Sequence, residues 1–236
     1  MKYTKGTLGL LVAILIMGTS MNALGFLGFG RDRWKEEVLL HDGSKIVVER
    51  SQTRGGRREI GQPPPVKEHT ISFKIPGSSK TITWTSEYGE DIGRSNFNLL
   101  AVHILNGTPY LVVEPNLCLS YNKWGRPNPP YVFFKYDGKI WQRIPLEEFP
   151  VEFKTINVAI STLADADKLT SLGFVSAEKI KKLNHDVRQP EYKTILREPL
   201  AKERIITMCE ERVLYKGAWI LPNDPIARKF IDQQKR

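Results

Sequence analysis

Two stretches gather side chains suited to holding a ligand. Tyr121 to Tyr131 (YNKWGRPNPPY) sets Tyr121, Trp124 and Tyr131 beside Lys123 and Arg126 on a proline-stiffened loop. Aromatic faces and fixed donors on a stiff loop suit stacking on a sugar ring or a partner peptide at low entropic cost. The same residues allow a structural role, in which Trp124 and Tyr131 fold over a sheet edge and the prolines keep that edge from pairing. The second stretch supplies Arg54, Arg57 and Arg58 around Gly55-Gly56. Three guanidinium groups on a glycine hinge can reach phosphates or carboxylates, and a solvated loop is the competing reading. An RGG triplet is too short to indicate RNA, and no nucleic-acid partner is expected.

Residues capable of covalent or metal chemistry do not assemble along the chain. His41, His69, His103 and His185 show no HxH or HxxxH spacing, so a metal site would have to be built from distant segments. There is no GxSxG, P-loop or Rossmann glycine pattern, and no cofactor is implied. Glu147-Glu148 and Asp165/Asp167 are neighbouring acids that could divide acid and base roles. Adjacent acids at a strand or helix start more often face solvent or the helix dipole.

The two cysteines, Cys118 and Cys209, belong to no CxxC pair. An oxidising compartment would allow a bridge between them, and two buried thiols are the alternative. The compartment is read from the N-terminus. Lys2 and Lys5 precede the apolar run Leu8 to Met17, and no charge follows until Arg31. Residues 1–25 therefore read as a signal peptide, or as a retained membrane anchor if cleavage before Phe26 fails. Residues 26–33 form a linker. In both cases the lysines stay inside and the body is exported, periplasmic or anchored in the inner membrane facing the periplasm.

The elements that must position these residues are mainly β. Hairpins are predicted at Glu37–Leu40/Lys45–Glu49, at Thr70–Ile75/Thr81–Thr85, at Asn98–Leu105/Tyr110–Glu114 around Asn106-Gly107, and at Tyr131–Tyr136/Lys139–Ile144 around Asp137-Gly138. Between the first two, Ser51 to Lys67 reads as an exposed loop, and a further strand is expected at Val151 to Ile160. This β-rich region, 34–160, implies an antiparallel sheet system, as a sandwich or partial barrel. The segment 161–236 reads as helical with a terminal hairpin, packed on the same domain. Thr162 and Asp165 resemble a capping box for a helix ending at Gly173, and Ser176 caps a second helix through Leu183. Leu200 to Glu211 could form a third helix, Val213 to Leu221 a hairpin, and the tail after Pro225 is expected to fray. The class is thus α+β with β dominant.

The stretches KEEVLLHDGSKIVVERS (Lys35 to Ser51), IGQPPPVKEHTISF (Ile60 to Phe73) and YNKWGRPNPPYVFFKYDGKIWQRIPLEEFP (Tyr121 to Pro150) resemble a family of uncharacterised exported proteins from Gram-negative bacteria. The resemblance implies a bacterial source and export, and carries over no activity and no catalytic residue. The net charge of +9 suits an anionic surface, although both signs are mixed along the chain. The expected function is that of an envelope binding or structural interaction module. Envelope polysaccharide, an anionic surface or another envelope protein would be its partner, with membrane contact through the N-terminal segment if that is uncleaved. A cell-wall or polysaccharide-directed hydrolase is the alternative.

Overall fold

The computed structural model describes residues 31–58, 60–160 and 163–234, without side chains for 163–165, 206 and 207. The signal peptide or anchor expected at 1–25 lies outside the described residues, as does Thr162 of the expected capping box.

Alternation along the strands builds the first sheet. In β1 (Asp32–Leu39) Trp34, Glu36 and Val38 are buried, and the residues between them are more exposed. β2 (Lys45–Arg54), β3 (Val66–Lys74) and β4 (Thr81–Ser86) follow as an antiparallel meander, with Trp34 opposite Arg50, Arg50 opposite Ile71, and Ile71 opposite Trp84. The β1–β2 turn is closed by Gly43 at φ +83° and by Ser44, whose carbonyl accepts from Leu40. The expected exposed loop from Ser51 is shorter than its composition suggested. β2 continues to Arg54, pairing Gln52 with His69, so Ser51 and Gln52 are buried within the sheet. Cross-strand pairing overrides the polar local sequence there.

A two-stranded ribbon of β5 (Tyr88–Gly89) and β6 (Arg94–Ser95) leads into the second sheet. Here β7 (Phe97–Leu105) and β8 (Thr108–Pro115) are joined by Asn106 and Gly107, at φ +50° and +75°. Both central positions need positive φ in this turn, which Asn-Gly supplies. β9 (Val132–Tyr136) and β10 (Trp141–Ile144) complete the order β10-β9-β8-β7. β10 begins two residues later than expected. The Asp137 carboxylate accepts from the amides of Lys139 and Ile140, which holds 137–140 as a four-residue loop.

The two sheets face each other across one core. Val38, Val48, Ile71, Phe73 and Trp84 of the first meet Phe97, Leu99, Val102, Leu111, Val113 and Val132 of the second. The back of the second sheet is also covered, by Phe149, Phe153 and Ile195 packed on Leu100, Val112 and Phe133. Burial on both faces explains the nearly continuous apolar runs of β7 and β8.

The strand expected at Val151 to Ile160 is absent. That segment is irregular, and side chains satisfy its backbone and that of its neighbours. Asn157 accepts from the Val102 amide and donates to the carbonyls of Val102 and Leu39, while the Ala159 amide donates to Glu36 and the Ile160 amide to Asn184. Asn157 thus supplies by its amide group what a ladder would have supplied. Ala159 also joins a buried ion pair. Arg50 Nη1 donates to Glu36 Oε1 at 3.0 Å and to the Ala159 carbonyl at 2.7 Å, and the Trp34 indole donates to the same Glu36 oxygen at 2.6 Å.

Helices fill the remainder. α1 (Leu117–Lys123) takes in Tyr121 to Lys123, the start of the stretch read as a loop. α2 (Leu163–Leu172) ends at Gly173, at φ +67°, and α3 (Ala177–His185) is capped by Ser176, whose hydroxyl accepts from the Lys179 amide. Between them β11 (Phe174–Val175) joins the first sheet as a parallel edge beside β1. α4 (Lys202–Met208), the hairpin of β12 (Val213–Tyr215) and β13 (Ala218–Ile220), and α5 (Pro225–Gln234) close the chain. The tail expected to fray is therefore helical through Gln234. The Asp224 side chain caps it by accepting from the Ala227 amide at 2.8 Å. Among the described residues no helix is long and apolar enough to cross a membrane.

Candidate binding groove

The Tyr121–Tyr131 stretch is held from below by the C-terminal segment. Cys118 in α1 is bonded to Cys209 at the end of α4, with a Cα separation of 5.3 Å. Asn122 donates to the Cys118 and Glu210 carbonyls and accepts from Arg126 and from the Arg212 amide. Arg126 also donates to the Cys209 carbonyl and lies 5.1 Å over the Tyr121 ring. Tyr121 is 3% exposed, and its hydroxyl donates to the Pro127 carbonyl. Tyr131, equally buried, donates to the Glu191 carbonyl at 2.7 Å, and burial raises its hydroxyl above the usual tyrosine range. The ring faces of Tyr121 and Tyr131 are thus occupied by the fold itself. Trp124 is half-buried on Phe97, centroids 4.5 Å apart, with its indole donating to Asn96. Arg143 of β10 covers the other side at 5.6 Å.

The basic residues divide. Arg57 and Lys123, distant in sequence, converge on one turn: Arg57 donates to the Glu90 carbonyl at 3.1 Å, and Lys123 to the Asp91 carboxylate at 2.7 Å. The Trp219 indole reaches the Asp91 carbonyl as well. Close approach makes glycine necessary there, since a Cβ on Gly56, at φ +93°, would lie 2.5 Å from the Gly93 carbonyl oxygen. Arg54 instead pairs with Asp32 and Asp167. Arg58 is exposed. The three arginines therefore do not form one anion-binding fork.

What stays open is a groove at the far end of the Tyr121–Tyr131 stretch. Pro127, Asn128 and Pro129 form one wall, and Pro145, Leu146 and Glu147 the other, around a volume of about 500 Å³. Its floor is the edge of β9. The β9–β10 ladder ends at Phe133 opposite Ile144, because Pro145 follows and cannot donate. Val132, the first residue of β9, thus has no ladder partner on that side among the described residues, and the Tyr131 amide before it donates to the Pro129 carbonyl at 2.7 Å. The first wall is pinned by Asn128, whose amide group exchanges two hydrogen bonds with the Leu200 backbone, at 2.9 and 2.7 Å. Arg143, exposed, lines the groove and links it to Trp124. Of the predicted binding residues Tyr131 lines the groove, and Glu147 of the neighbouring acids does as well. Arg143 and Asn128 were missed, and the legible signal was Pro145 placed directly behind an alternating strand.

Titratable groups are buried elsewhere. His69 is held down to about 3 by burial and by the Arg50 charge, and His103 to about 4 by burial. Burial pushes Glu114 up to about 7, although Tyr192 donates to it at 2.5 Å and Asn98 at 3.2 Å. Among the described residues no three of His, Cys, Asp and Glu gather as a metal site. No protein-family model matches the chain, and no curated protein or solved structure matches it either.

Proposed function

We propose that the chain is an exported bacterial envelope protein acting as a binding and structural interaction module, which receives an extended segment of another envelope protein in the groove along β9. The observation that carries this reading is the edge of β9 beside Val132, where Pro145 stops the ladder between two proline-bearing walls. An extended peptide adds to such an edge through its main chain, and the side chains along the groove select its sequence. The prolines hold the walls in shape before binding, which lowers the ordering cost. The Cys118–Cys209 bond supports an oxidising destination, in keeping with the leader.

The test is retention on isolated envelope material. Arg143→Glu, an exposed change, should weaken retention while the melting temperature stays within about a degree or two of wild type, as surface substitutions allow. Equal retention of wild type and variant would remove the groove from the binding surface. Release of soluble sugars from that material would instead favour the hydrolase.

A further inference from the structure

Surface helices ordinarily bury an apolar stripe and show a polar one to water. α5 departs from this by also setting two large apolar side chains outward. Its polar residues hold it to the protein: Asp232 accepts from the Tyr215 hydroxyl at 3.0 Å and from Lys216 at 2.7 Å, and Arg228 donates to the Pro222 carbonyl and lies 5.1 Å over the Tyr215 ring. Ala227 and Ile231 are partly covered, whereas Ile226 and Phe230 point away, 80% and 59% exposed and one helical turn apart. No residue of α5 is buried among the described side chains.

We infer that this outward face of α5 is a docking surface for an anionic lipid bilayer, lying flat in the headgroup layer. Charge decides between the possible occupants. Lys229 lies beside Phe230 on the exposed side and makes no ion pair among the described residues, and the sequence continues with Lys235 and Arg236. A second copy brought face to face would set Lys229 against its counterpart, since a two-fold contact places the same patch on both sides. A bilayer with anionic headgroups takes the apolar side chains and the flanking cations together. The inference stands apart from the groove and does not depend on it.

The test measures amide exchange over residues 225–234 of the full chain with vesicles of phosphatidylcholine alone or of phosphatidylcholine mixed with phosphatidylglycerol. Exchange should slow about tenfold only with the anionic vesicles and recover in high salt. The neutral vesicles serve as the control for membrane contact made by residues 1–30. Ile226→Ser with Phe230→Ser should abolish the protection while leaving exchange over 97–115 unchanged. If that double variant disturbs the core, Lys229→Glu alone should reduce the protection several-fold. Equal exchange with both vesicle types overturns the proposal. Protection that needs no vesicles and grows with protein concentration also overturns it, in favour of a second copy.

Discussion

The guanidinium of Arg143 lies 5.6 Å over the ring of Trp124. One residue belongs to the groove and the other to the core, so the pair joins a surface that can bind to an interior that must fold. Their substitutions should separate these roles. Trp124→Ala removes a half-buried ring packed on Phe97 and should cost about 2–3 kcal/mol in denaturant unfolding. Arg143→Ala removes one exposed cation–π contact and should cost under about 1 kcal/mol. Comparable losses from both would place Arg143 in the core.

Glu36 and Arg50 form an ion pair that is 0% and 2% exposed, tied to Ala159 and Trp34. Removing one partner leaves a buried charge without compensation. Glu36→Gln is therefore expected to destabilise by about 3–5 kcal/mol, with Glu36→Gln combined with Arg50→Met recovering part of that loss. Urea titration of the three variants measures both values.

Acid stability should depend on two opposed groups of buried residues. Glu114 keeps its proton up to about 7 in the fold, against about 4.3 in an unfolded chain. Between those values the native state binds more protons, so this share of stability is full at low pH and is lost as pH rises towards 7. His69 and His103, at about 3 and about 4, act in the other direction. Their share is full above about 6.5 and is lost as pH falls through the acid range. Glu114→Gln should make stability climb more steeply between about pH 5 and 7, and His69→Gln should flatten that climb. Chemical unfolding at stepped pH reads both slopes.

The Cys118–Cys209 bond spans a sequence separation of 91 residues and anchors α1 to the C-terminal segment. Reduction should lower stability by up to about 4–5 kcal/mol on the chain-entropy account. It should also loosen Arg126, whose guanidinium rests on the Cys209 carbonyl. Unfolding with and without reductant, followed by exchange over 117–131, checks both consequences.

Much of the β scaffold was legible because its causes are local. Asp42-Gly43 and Asn106-Gly107 impose turns by backbone geometry, and period-two alternation set the faces of Ile71, Phe73, Ile82 and Trp84. Gly173 and Ser176 likewise marked helix ends from their own chemistry. The candidate site was legible only in outline. The aromatic and basic stretches stood out by composition, yet whether Tyr121 and Tyr131 offer their rings or bury them depends on residues some 60 to 90 positions away, such as Glu191 and Cys209.

By itself, then, the sequence determined the β-rich class, the order of the hairpins and the helix boundaries around Gly173 and Ser176, since each follows from a few neighbouring residues. Tertiary structure alone decided that 151–160 is no strand, that Arg57 and Lys123 share one turn, and that α5 turns Ile226 and Phe230 outward. Those outcomes rest on long-range hydrogen bonds made by Asn157 and accepted by Glu90, Asp91 and Asp232, whose partners are chosen by the assembled fold rather than by the adjoining chain.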